Sequence, residues 1–182
     1  VGATPAETPT ASVTASYTVA FPKVTVGGVE LKAAPGGAVA YALTDETGAV
    51  TTEGVSASQY NIKWDGETLT LKGAAIAVTG QHGIQSDEDL TLVLEDASSI
   101  RMDKQEGSTA SYSGIYNAGK NLTITGTGSL DITADSSAIR AAALTVRDAA
   151  LSLVSQSSSG ISADSMTVES GSVTARGLRN GI

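Results

Sequence analysis

Along residues 114–133, GIYNAGKNLTITGTGSLDIT, apolar residues fall in three short groups: Ile115, then Leu122 and Ile124, then Leu130 and Ile132. A spacing of two places both side chains of a pair on one face of a strand. Gly, Asn and Ser fill the intervals, as tight corners require. The unit predicts one coil of a parallel β-helix with three short strands.

The neighbouring sequence repeats this unit. Leu69-Thr70-Leu71, Leu90-Thr91-Leu92, Leu122-Thr123-Ile124, Leu144-Thr145-Val146 and Met166-Thr167-Val168 align as one column. Before it stand Ile84, Ile115, Ile139, Ile161 and Ile182, each after Gly or Ala. After it come Ile76, Ile100, Leu130, Leu151 and Val173, and two residues further Val78, Met102, Ile132, Leu153 and Ala175. Gly114, Ala138, Gly160 and Gly181 are 24, 22 and 21 residues apart, and residues 103–113 lengthen the step from Gly83 to Gly114 to 31. Leucine-rich repeats share this range of periods but need a Leu/Asn signature and a helical segment. Neither occurs here. Inward side chains contribute roughly 1.5–3 kcal/mol each only when adjacent coils cover them, so a lone coil should not fold.

Ahead of the array the pattern is strand-like and non-repeating. Val24–Val26 and Val29–Leu31 alternate about Gly27-Gly28, a hairpin signal. Residues 39–52 form a second hairpin about residues 44–48, and Tyr60–Trp64 and Thr68–Lys72 reverse at Asp65-Gly66. The organisation expected is a Thr/Ala/Pro/Ser-rich spacer over 1–16, an antiparallel β cap over 17–64 and a parallel β-helix of about five turns over 65–182. A cap is physically required, because an open coil end leaves strand edges and an apolar cross-section bare. At the other end Gly181-Ile182 opens a sixth turn. A longer parent chain, or end-to-end cover by another subunit, is expected there.

Composition supports this all-β reading. Aromatics are 4% of 182 residues, little for an ordinary globular core, whereas Ile, Leu and Val suffice for a narrow coil. The net charge of −8 argues against nucleic acid and against anchoring on anionic lipid. No apolar run approaches a membrane span, so membrane insertion is not expected. The absence of cysteine removes disulfides and thiol chemistry.

VTVGGVEL, YNIKWDGETLTLKGAAI, GIQSDEDLTLVLE and GIYNAGKNLTITGTGSLDIT resemble a family of exported, cell-surface β-helix proteins of Gram-positive gut and cellulose-degrading bacteria. Some of its members are labelled carbohydrate-binding domains. The resemblance runs from about residue 24 to the end. It implies an extracellular or cell-surface protein with a right-handed single-stranded parallel β-helix, and a polysaccharide partner. It carries over no functional residue.

Outward positions offer the candidate chemistry. Thr70, Thr91, Thr123, Thr145 and Thr167 form a ladder, best read as β-branched residues fitting strands. The row Gln85, Tyr116, Arg140 and Ser162 suits a sugar: the ring of Tyr116 would stack on it, and Gln85 and Arg140 would bond hydroxyls or a uronate. Tyr112, on the inserted loop, could close over that row. Asp87-Glu88-Asp89 reads as a solvated turn, since calcium needs six or more converging oxygens. Glycoside hydrolysis needs paired carboxylates, which these files lack. Arg101 with Asp131, and Arg147 with Glu169, read as surface ion pairs between coils. His82 sits at a corner with no Ser or Cys partner. Trp64 is placed between cap and coil, on a face shared with Tyr60 and Ile62.

The expected function is a non-enzymatic exported module that binds polysaccharide or displays another domain, through Gln85, Tyr116, Arg140 and Tyr112, with no catalytic or metal residues and no cofactor. The alternatives are a pectin-lyase-like lyase or hydrolase, and a structural stalk or adhesin segment.

Overall fold

A computed structural model describes residues 21–33 and 36–182. The expected spacer and the start of the expected cap lie outside the described residues. Five strands precede the coil: β1 (Lys23–Val26), β2 (Val29–Lys32), β3 (Ala40–Thr44), β4 (Val50–Thr51) and β5 (Ile62–Trp64). All three hairpins form: β1–β2, β3–β4, and β5 with β6 (Thr68–Leu71). Gly27 and Gly28 have φ of 57° and 81°. A two-residue turn whose twist matches its strands demands this pair of left-handed residues.

The first coil continues from β6 into β7 (Ala75–Thr79). The second is β8 (Ile84–Gln85), β9 (Leu90–Leu94) and β10 (Ser98–Asp103). The third is β11 (Ile115–Thr125) and β12 (Ser129–Ala134), and the fourth β13 (Ile139–Val146) and β14 (Ala150–Ser155). In these two coils the first two faces run on as one strand. The fifth is β15 (Ile161–Ser162), β16 (Ser165–Val168) and β17 (Ser172–Arg176). Coil pairs with coil in parallel throughout, giving an all-β parallel solenoid of about five turns.

The core is a stack of aliphatic columns. Ile84, Ile115, Ile139 and Ile161 pair directly and are at most 2% exposed. A Cβ at Gly114, just before this column, would meet Ile132 Cγ2 and lie 2.8 Å from Ala138 O; one at Gly83 would meet Ile100 Cγ2 and lie 2.6 Å from Gly114 O. Glycine at these two corners lets one coil sit closely on the next. Ile161 donates its N–H to Gly181 O at 3.0 Å, in the register of the earlier coils, so Ile182 follows in line with the column, where it is exposed.

Two alignments slip by two residues from the sequence expectation. Leu69 pairs with Leu92, not Leu90. The outward ladder is therefore Thr68, Thr91, Thr123, Thr145 and Thr167, while Thr70 lies beside Val93 and is buried. Likewise Ile100 pairs with Ile132, and Leu130 pairs with Ser98. Ser98 takes an inward place because its hydroxyl accepts the Ala74 N–H at 3.1 Å, which satisfies both buried groups. Arg101 consequently stands beside Thr133 rather than Asp131, and pairs with Asp103 of its own strand at 2.9 Å. The expected Arg147–Glu169 pair does form, with two hydrogen bonds of 2.6 and 2.9 Å.

The cap does more than cover an end. Antiparallel to β8, β1 takes the place of a first-face strand. On the second face, β5 pairs antiparallel with β6 and buries Ile62 and Trp64. The indole N–H of Trp64 donates to Pro22 O at 3.2 Å. Tyr60 does not share that face. It meets Tyr41, with ring centres 5.0 Å apart, and Tyr41 pairs with the outward Lys63.

Candidate functional site

Gln85, Tyr116, Arg140 and Ser162 are direct partners on successive strands, with Thr25 of β1 extending the row beyond Gln85. Strand spacing sets them roughly 4.8 Å apart along the axis. The row thus forms as its residues predict.

What surrounds Tyr116 differs from the expectation. His82, at the corner before β8, stacks on the ring at 4.2 Å between centres and 26° between planes. Arg140, from the following coil, brings its guanidinium carbon to 5.9 Å from the ring centre. A bare Tyr116 face open to a sugar is therefore not what the fold presents. Tyr112 meets His82 edge-on, with centres 5.3 Å apart, and packs against the core.

His82 is fixed from its other side. The Ser113 N–H donates to Nδ1 at 2.9 Å, so the neutral ring carries its proton on Nε2. Burial between the tyrosines lowers the histidine pKa, and the charge of Arg140 acts in the same direction. His82 is the residue that sequence reasoning set aside and the fold brings in. Its signal was weak: a corner position one residue before a glycine, in line with Ser113 before Gly114.

Beyond Tyr116 the third coil bulges. Asn117 pairs with Ala141 and Asn121 with Ala143, so Ala118, Gly119 and Lys120 stand opposite a single residue. The acidic corner holds this bulge in place. Asp89 accepts the Asn121 backbone N–H at 2.9 Å and its side-chain amide at 3.1 Å, and Lys120 reaches Glu88 at 3.2 Å. These two amide donors hold the Asp89 carboxyl below its ordinary pKa. The run read as a solvated turn thus anchors a wall. The inward Asn117 is fully buried and donates to Asn121 O at 2.9 Å, while its Oδ1 has no partner among the described residues.

The bulge overhangs coils of smaller girth, and a depression of about 190 Å³ opens beneath it. Ala118 and Gly119 of the bulge line it on one side, the backbone at Ala141 and Ala163 lies along it, and Arg140, Ser162 and Asp164 supply its polar groups. Arg140 is exposed and forms no ion pair among the described residues. This depression was missed from the sequence. The signal was a count: six residues lie between Ile115 and Leu122, against four between Ile139 and Leu144.

In comparison with known proteins, no family model matches the chain, and no curated sequence or solved structure matches it either.

Proposed function

We propose that this chain is a non-enzymatic, exported or cell-surface module that binds polysaccharide along the row Gln85, Tyr116, Arg140 and Ser162. One observation carries the reading: an exposed arginine without an ion pair among the described residues, set between an ordered aromatic group and a small depression. Aromatics are only 4% of the chain, yet Tyr112 and Tyr116 meet at this one corner around His82. A planar guanidinium suits hydroxyl and carboxylate oxygens, and the stacked Tyr116 ring beside Arg140 gives it an ordered support. A linear ligand would lie along the coil axis and touch successive strands.

The test is a glycan array with the chain and with Arg140→Ala. Retention of a polysaccharide class that the variant loses, with no new reducing or unsaturated ends on incubation, supports the reading. Release of such ends would make the chain an enzyme. No retention of any glycan would leave the structural stalk.

A further inference from the structure

We infer that the depression under the β11 bulge is a subsite for a single uronate residue, its carboxylate on Arg140 and its ring hydroxyls on Asp164 and Ser162. This rests on the polysaccharide reading above and specifies the ligand of the same face.

Size limits the occupant first. The depression holds about 190 Å³. It falls below the ~300–1,000 Å³ of sites that enclose drug-sized ligands. One sugar ring fits, and the rest of a chain must run outside, over the row.

Polarity orients that ring. Arg140 pairs with Ser162, while Asp164 donates its N–H to the carbonyl of Ala142 at 2.9 Å. The cationic and anionic groups therefore stand one coil and two residues apart, roughly 8 Å between backbone positions. A pyranuronate has matching ends. Its carboxylate, on C5, lies across the ring from the hydroxyls on C2 and C3. The guanidinium would take the carboxylate as a two-pronged donor, and Asp164, an acceptor only, would take the hydroxyl protons.

The wall is built rather than incidental. Asn121, Asp89, Lys120 and Glu88 hold the bulge from the previous coil, so the cavity does not depend on the ligand for its shape. Binding to a preformed site avoids the ordering cost of a loop that closes on its ligand.

The experiment is calorimetric titration of the chain with galacturonate, mannuronate and glucuronate oligosaccharides, each beside its carboxyl-reduced neutral counterpart. At least one uronate series is expected to bind, and reduction of its carboxyls to weaken binding at least tenfold. Arg140→Gln should reproduce that loss, and affinity should fall with salt. Ser162→Leu, which puts bulk on the exposed rim of the depression, should weaken binding without removing the cooperative melt. Equal binding of the neutral counterparts, or unchanged affinity in Arg140→Gln, overturns the uronate subsite and leaves polysaccharide binding standing. Failure of every oligosaccharide, charged and neutral, overturns both.

Discussion

The two ends of the coil carry the same kinds of residue and treat them differently. At the N-terminal end Leu69, Leu71, Ile62 and Trp64 are at most 3% exposed, because β5 and β3 extend the sheet across the first coil. In the fifth coil Val168 is 46% exposed, although its partners in the same column, Ile124 and Val146, are fully buried. Met166 is half-buried below Leu122 and Leu144, each 1% exposed. The difference teaches that burial here is a property of neighbouring coils, not of a residue's place within its own coil. Stability in such an array is a sum of coil terms and interfaces between coils.

The largest expected effect is at the capped end. Trp64→Ala removes the side chain that bridges cap and coil, and should cost about 3–5 kcal/mol in urea unfolding. A loss under about 1 kcal/mol would mean that the cap rests on the coil without supporting it. Next comes a matched pair. Leu144→Ala should cost about 2–5 kcal/mol and Val168→Ala within about 0.5 kcal/mol. Similar costs for the two would remove the contrast between interior and final coils.

The smallest effect is a pH dependence at the side of the coil. His82 has a folded pKa below its ordinary 6.5 because burial disfavours the charged ring. The unfolded chain then binds more protons in that window, so stability is full above about pH 6.5 and falls as pH drops through the lower folded value. His82→Gln should flatten the decline of the urea midpoint between about pH 7 and about pH 5. An equally steep decline in the variant would place its cause elsewhere.

Much of this fold is legible in the sequence, and the parts that are not share one physical reason. Strand side chains alternate with period two, so the apolar pattern decides which residues face inward but is blind to a slip of two. Leu69 against Leu92 and Ile100 against Ile132 are both such slips. The inward Ser98 widened the second, because a search for apolar residues passes over a serine buried by its hydrogen bond. The column from Ile84 to Ile161 did not slip, since the close approach at Gly83 and Gly114 pins each coil to the next. The candidate row was readable for the same reason, as Gln85, Tyr116 and Arg140 directly follow that column. Its surroundings were not. The stacking of His82 on Tyr116 joins residues 34 apart through a corner whose direction no periodicity encodes.

Stacking of coil on coil is tested most directly by residue-resolved native-state hydrogen exchange. The amides of Ile84, Ile115 and Ile139 donate to carbonyls of the next coil at 2.8, 2.9 and 3.2 Å. They should exchange only through global unfolding, together with those of Leu122, Ile124, Leu144 and Val146. The amides of β16 and β17 should exchange faster by local opening. Free exchange along the isoleucine column, or protection in β16 and β17 equal to that in β11 and β13, would contradict the account.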